Sequence, residues 1–289
     1  MSKAKGAICI VASAFGFALM ALFVGMCDRY GASVSSFQKS FFRNLPAVFI
    51  AAAICRKPPS MPPLALTRRQ WTMLVLRSVV GAAGIFCNFY ALSHIAIGEG
   101  MTLNKMAPIW TVVMSWLFLK EKIDFRRGLF LLLAFVGAVL IIKPGFQGGG
   151  SFAYAMAALG GLCAGTAYVF VHALGRENVP SAFIVFFFSL FSCLAAVPFM
   201  IADWTPMTPA QLMIMAGAGI GGAIGQFGVT MAYRYAEPRD IAVYDYSNVV
   251  FAAILGFFFL SQQIDFISIA GMAIIGFAAH GSRRNRKID

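Results

Sequence analysis

Five stretches of the chain, 6–26, 144–175, 178–202, 204–233 and 246–264, contain no Asp, Glu, Lys or Arg. A run of about 20 apolar residues crosses the ~30 Å hydrocarbon core of a bilayer as a helix. Cutting the remaining apolar runs at charged or Pro/Gly-rich breaks predicts ten helices, near 6–26, 34–54, 71–92, 97–118, 127–142, 151–173, 181–201, 211–233, 241–260 and 264–281. The connections between them are short. The first run follows Lys3 and Lys5 but exceeds a signal peptide's apolar segment and shows no cleavage pattern, so it is expected to be a retained helix. The expected fold class is all-α, a polytopic membrane protein.

The loops repeat a phrase. "FLKEKIDF" at 118–125 returns as "FLSQQIDF" at 259–266, with Lys120, Glu121 and Lys122 replaced by Ser261, Gln262 and Gln263. The same shift of 141 residues sets Gly81-Ala82-Ala83-Gly84 on Gly222-Ala223-Ile224-Gly225, Phe86 on Phe227, Ala91 on Ala232 and Glu99 on Asp240. The glycine-rich "KPGFQGGGS" (143–151) lies at the join. Residues 1–143 and 150–283 therefore read as two five-helix units, followed by a basic tail at 284–289. Five is odd, so the second unit enters the membrane from the opposite side, giving an inverted-topology repeat. The second copy of the loop loses its charge because it faces the other side.

Composition agrees with this reading. Hydrophobic residues make up 60% of the 289, charged residues 12%, and the mean hydropathy is +0.79; a soluble domain carries about 25% charge. The net charge of +12 raises the question of nucleic acid, and its distribution answers it. With the N-terminus inside, most of the 23 basic residues fall in cytoplasmic segments, among them Lys3, Lys5, Lys57, Arg68, Arg69, Lys120, Lys122, Arg126, Arg127, Arg239, Arg286 and Lys287. Arg29 and Lys143 alone fall outside. That is the positive-inside pattern, and it predicts both termini in the cytoplasm and no nucleic-acid partner. Six cysteines and three histidines show no metal or nucleophile spacing, so no metal site and no cofactor are expected. "GAGIGG" (217–222) matches a dinucleotide fingerprint but lies inside an uncharged run, where its glycines read as helix-packing positions.

The stretch "ALSHIAIGEGMTLNKMAPIWTVVMSWLFLKEKI" (91–123) resembles the end of an EamA domain: a small-residue run, a helix with a central proline (Pro108), then a closing Lys-Glu pair. "FFRNLPAVFIAAAI" (41–54) is similar to the Arg-bearing second helix of that domain. The resemblance covers the whole chain as two copies and implies a carrier of the drug/metabolite transporter superfamily in the bacterial cytoplasmic membrane, monomer or homodimer. The second copy departs from the pattern, with Val249 at the proline position and Gln262 at the terminal acid. Its "AVYDYSNVVFAAILGFFF" (242–259) is similar to a subgroup that includes S-adenosylmethionine uptake carriers.

Four cations, Lys39, Arg43, Arg77 and Lys105, fall within predicted helices. At mid-bilayer they would together cost on the order of 10 kcal/mol on insertion scales, so each calls for water, a partner or a ligand. Arg43 can instead bond free carbonyls, while Lys39 and Arg77 can snorkel toward an interface. The repeat maps Asn104 onto Asp245 and Lys105 onto Tyr246, and inverted repeats build their sites where such positions meet near the midplane. Asp245 is the one acid predicted well inside a helix. Tyr244, Asn248, Asn88, Tyr90 and Gln226 supply further polar or aromatic groups, although Tyr at a helix end also serves as an interfacial anchor. Glu99 and Asp240 start helices, where an acid suits the dipole. The candidate substrate-binding set is thus Arg43, Arg77, Asn88, Tyr90, Asn104, Lys105, Gln226, Tyr244, Asp245, Tyr246 and Asn248.

These features point to a secondary transporter for a small organic metabolite with an acidic group, such as an amino acid or derivative, working by alternating access. An S-adenosylmethionine or nucleoside-like cargo is the alternative. Export of cationic drugs would call for an acid in the first helix, which 6–26 lacks, and the intramembrane residues of a membrane enzyme are missing. Labels placed at positions 120 and 261 are expected to react from opposite faces of the membrane; reaction of both from one face would remove the inverted repeat.

Overall fold

The computed structural model describes residues 2–56, 66–92, 94–122, 124–145 and 150–284. The basic residues Lys57, Arg286 and Lys287, Ile123 of the repeated phrase, the glycine join at 146–149 and residues 285–289 of the tail lie outside the described residues. Among the described residues the regular structure is helical, in twelve segments: α1 (Lys3–Cys27), α2 (Ser36–Cys55), α3 (Arg68–Leu92), α4 (Ile97–Asn104), α5 (Ala107–Leu119), α6 (Phe125–Ile142), α7 (Ser151–Arg176), α8 (Ser181–Ala202), α9 (Pro209–Tyr235), α10 (Pro238–Asp245), α11 (Ser247–Leu260) and α12 (Phe266–Arg284). Eight stretches are long and apolar enough to cross a membrane: α1, α3, α6, α7, α8, α9, the α10–α11 pair and α12. Phe49, Trp116, Phe258, Phe259 and Ile201 stand exposed on their outer faces, as lipid contact requires. The chain is an all-helical polytopic membrane protein.

Two of the ten expected helices are each broken into two segments. The 97–118 helix is α4 and α5, parted at Lys105 and Met106, and the 241–260 helix is α10 and α11, parted at Tyr246. In the first, Pro108 has no N–H to offer the Asn104 carbonyl four residues back. The Met106 N–H tightens instead onto Leu103 O at 3.1 Å. The second break has no proline. There Val249 N–H bonds three residues back to Tyr246 O at 3.0 Å, and the Ser247 hydroxyl donates to Tyr244 O at 2.7 Å, a local bond that competes with the helix ladder. Lys105 and Tyr246 are related by the same 141-residue shift as the repeated phrase.

That phrase folds alike in both places. Lys120 and Ser261 end their helices in the left-handed region, at φ 55°, ψ 30° and φ 56°, ψ 29°. Asp124 then accepts from Arg126 N at 3.0 Å to start α6, and Asp265 accepts from Ser268 N at 3.0 Å to start α12. Backbone geometry is kept while the charge is not.

Long-range packing joins early elements to late ones: α1 lies along α9, α3 along α7, α2 against α8 and α6 against α12. Exchanging α1 with α7, α2 with α8, α3 with α9, α4–α5 with α10–α11 and α6 with α12 maps these pairings onto one another. The two longest contacts use glycine to bring backbones together. A Cβ built on Gly16 would stand 2.6 Å from Gly225 N and 2.8 Å from Gly221 O, and one built on Gly160 would stand 3.2 Å from Gly84 O. The "GAGIGG" glycines thus serve helix contact. The start of α1 and the end of α12 lie at one end, where Lys3 reaches Asp240 at 3.1 Å and Asp240 also takes Arg127 at 2.5 Å. Asp240 and Glu99, which accepts the Tyr154 hydroxyl at 2.7 Å, fasten helix starts as expected of them.

Gly16→Leu is expected to lower the stability of the purified protein by about 1–3 kcal/mol through overpacking. Gly276→Leu, whose added Cβ meets nothing within 4 Å, is expected to stay within about 0.5 kcal/mol. Thermal unfolding in detergent distinguishes them; equal losses would exclude a backbone-tight crossing.

Candidate functional site

The two breaks meet at the centre of the fold. The Tyr246 hydroxyl donates to the carbonyl of Lys105 at 3.0 Å, so positions paired by the repeat touch. Beside them lies a cavity of about 290 Å³, lined by Arg43 of α2, Arg77 and Asn88 of α3, Asn104 and Lys105 at the end of α4, Tyr168 of α7, Phe188 of α8, Gln226 of α9, Asp245 at the end of α10 and Asn248 of α11. Phe17, Met20, Met101 and Pro108 complete the wall. Each broken helix ends its first segment on this space, which frees polar backbone where a continuous helix would present none.

Side chains around the cavity are held from behind. Lys105 Nζ donates to Asn248 Oδ1, and Asn248 Nδ2 donates to the Ala14 carbonyl at 2.9 Å. That chain of bonds ties α4, α11 and α1 together and fixes where the ammonium stands. The Arg77 guanidinium is 2% exposed. Its Cζ lies 3.4 Å above the Phe188 ring centroid, and Nη2 donates to Gln226 Oε1 at 3.3 Å. Phe188 therefore carries the cation by its π-face rather than by countercharge. Arg77 Nε and Asn88 Oδ1 have no hydrogen-bond partner among the described residues.

Charge in this space is unbalanced. Arg43, Arg77 and Lys105 bring three cations, and Asp245 is the one acid among the lining residues described. No ion pair within 4 Å joins any of these four to a described partner. Lys39, by contrast, pairs with Asp28 at 2.6 Å toward the end away from the termini. Unpaired charge in a low-dielectric site attracts an opposite charge far more strongly than in water.

Eight of the eleven sequence candidates line the cavity: Arg43, Arg77, Asn88, Asn104, Lys105, Gln226, Asp245 and Asn248. Three stand apart from it. Tyr90 is exposed and stacks on His94 at 4.2 Å between ring centroids. Tyr244 packs among the apolar clusters of the terminus-bearing end, and Tyr246 is fully buried behind the break, bonded to Lys105 O. Side-chain direction on a helix separates neighbours such as 244, 245 and 246 by about 100° each, which a list of polar residues ignores. Tyr168 and Phe188 were not among the candidates. Tyr168 is one of two phenols, with Tyr154, inside the uncharged run 144–175, and Phe188 lies in the run Phe186-Phe187-Phe188, where nothing separates it from its neighbours.

Below the cavity, the terminus-bearing end is filled by one large apolar cluster that includes Ile10, Leu74, Leu174, Ile184, Val229, Tyr233 and Ile241. The opposite end has two separate small clusters, one around Cys27, Val34 and Met215, the other around Ala91, Ile95 and Ala157. A second cluster, around Leu131, Ala242, Val243 and Ile275, lies beside the large one, with Tyr244 packed against both.

A helical membrane protein with a central charged cavity between broken helices falls in the class of membrane transporters. The chain belongs to the EamA-like transporter family, which matches residues 4–143 and again 151–281, and so to the drug/metabolite transporter superfamily. It is similar to the pseudopaline exporter CntI of Pseudomonas aeruginosa, with 29% identity over 98% of this chain and 97% of that protein. It is also similar to human solute carrier family 35 member G1, with 24% identity over 90% of this chain and 73% of that one. The riboflavin transporter of Vibrio cholerae is 26% identical over 66% of this chain and 64% of its own length. A solved crystal structure shares the fold, with a TM-score of 0.80 at 16% identity over 94% of this chain and 96% of that one.

Proposed function

We propose that the protein is a secondary active carrier that moves a small organic metabolite bearing a carboxylate or other acid group across the cytoplasmic membrane. Residues 1–143 and 150–283 act as inverted repeats, both termini are cytoplasmic, and one repeat rocks against the other around the cavity. The observation that carries this reading is the excess of Arg43, Arg77 and Lys105 over Asp245 in a space where no described ion pair neutralises any of them. An acidic substrate offsets that excess, and its charge-assisted hydrogen bonds each contribute roughly 1.5–3 kcal/mol. Relatives named for pseudopaline and riboflavin agree with a metabolite as cargo.

Asp245 suits a proton that couples the cycle, since it is an unpaired acid at the end of a half-helix. A second reading, an S-adenosylmethionine-like or nucleoside-like cargo, is favoured by the same unpaired acid beside the rings of Phe17 and Tyr168. Thermal-shift screening of the purified carrier against amino acids, organic acids, nucleosides and sulfonium compounds separates the two.

In proteoliposomes, saturable uptake with counterflow is the expected result; flux that never saturates would mark a channel. Lys105→Met is expected to raise the apparent KM for an acidic substrate about 10- to 100-fold, equivalent to one charge-assisted bond. An unchanged KM would take Lys105 out of the site. Asp245→Asn is expected to abolish pH-dependent uptake with melting temperature preserved, and a retained pH dependence would assign the coupling elsewhere.

A further inference from the structure

Away from the cavity, at the terminus-bearing end, His172 of α7 is fully buried. Its Nδ1 stands 2.6 Å from the carbonyl oxygen of Tyr233 in α9, and its Nε2 stands 2.9 Å from a carboxylate oxygen of Glu121, just past α5. The Ser115 hydroxyl donates to the other oxygen of Glu121, and Arg176 Nη1 lies 3.7 Å from the first. Carbonyl and carboxylate oxygens accept hydrogen bonds, whereas a neutral imidazole has a single N–H. Both contacts are satisfied only when a second proton sits between ring and carboxylate. The geometry therefore places a proton on the contact between the His172 ring and the Glu121 carboxylate in addition to the one on Nδ1.

The surroundings favour the ionised carboxylate of Glu121. Burial works against the charge on Glu121, but hydrogen bonds from His172 and Ser115 and the charges of His172 and Arg176 outweigh it and hold its carboxyl below the usual carboxylate range. Other ionisable groups at this end are engaged elsewhere. Arg69 pairs with Glu177 at 3.2 Å, Arg239 pairs with Glu237 at 2.7 Å and donates to Lys122 O at 2.9 Å, and Arg234 packs its stem on Gly175. Lys120 and Lys122 are exposed.

The contact also joins the two repeats and has no counterpart at the other end. Ser115 and Glu121 come from the first; His172, Arg176 and Tyr233 come from the second. The 141-residue shift carries Ser115 to Gly256 and Glu121 to Gln262, and the Gln262 side chain folds onto Gly256 instead of reaching across. We infer that Glu121 and His172 form a proton-binding site separate from the cavity, which latches the terminus-bearing end shut and releases its proton when that end opens. The opening step rests on the alternating-access reading above; the proton site does not. The latch stabilises the closed end while the proton is held between ring and carboxylate, and it weakens at acid pH when Glu121 is protonated.

The test uses the full-length protein in lipid nanodiscs. Histidine ring nitrogens labelled with ¹⁵N report protonation by NMR, and the His172 signals, among three histidines in the chain, are those absent from H172Q. Two protonated nitrogens at pH 7 are expected; one bare nitrogen overturns the proposal. Separately, Cys9 packs against the seal of this end and reports its opening through maleimide labelling at pH 7, with the other five cysteines replaced by Ser. E121Q, which installs the residue found at position 262, is expected to raise that labelling rate at least 5-fold, H172Q equally, and the double variant no further. An unchanged rate in E121Q overturns the latch. A doubly protonated ring and faster labelling without saturable uptake would remove the carrier reading and keep the proton site; the reverse pattern would remove the proton site and keep the carrier.

Discussion

A cation in hydrocarbon must be hydrated, paired or shared with a ligand, and this constraint shapes the centre of the protein. Arg77 is carried by the face of Phe188 and by Gln226, and Lys105 is carried by Asn248. Neither arrangement cancels the charge. Both hold a cation beside the cavity with no described carboxylate within ion-pair distance of it. The same constraint explains the helix breaks. They expose polar backbone at depth, and such backbone is tolerated in a membrane only where it lines a cavity or is buried in protein.

The cavity exists because helices on either side of it approach so closely. Gly16 against Gly225 and Gly84 against Gly160 bring α1 to α9 and α3 to α7 at backbone distance. Those crossings set the positions from which Phe17, Arg77, Asn88 and Gln226 reach the wall. Little hydrophobic force draws helices together inside lipid, so association relies on contacts of this kind and on the hydrogen bonds that cross them. The Ser13 hydroxyl, donating to Gly225 O at 2.7 Å, is one such bond at the same crossing.

The repeated phrase combines two levels of constraint. In both copies a left-handed residue closes one helix and an aspartate opens the next. The side chains of the phrase differ because their surroundings differ. The lysines and arginines of the first copy are those that the proposed cytoplasmic placement calls for. Glu121 follows another rule: it is withdrawn from water to meet His172. In the sequence that histidine stands 51 residues from Glu121, inside a predicted helix while Glu121 lies in a loop, and nothing in the spacing pairs the two.

Length and spacing of the apolar runs determined ten helical runs, and a shift of 141 residues carried the repeated loop, because these depend on local chemistry and on the thickness of a bilayer; the breaks at Lys105 and Tyr246, which the same shift relates, came from the structure. The intramembrane charges were equally legible, since any Arg, Lys or Asp in such a run stands out against its neighbours. Tertiary structure decided which polar groups face one another. Tyr244 and Tyr246 turned away from the cavity on either side of Asp245, Phe188 became the support of Arg77, and Glu121 found His172. Those outcomes depend on the rotation of each helix about its own axis and on which helix lies beside it. Both are set by packing between residues far apart in the chain, which no single stretch of sequence specifies.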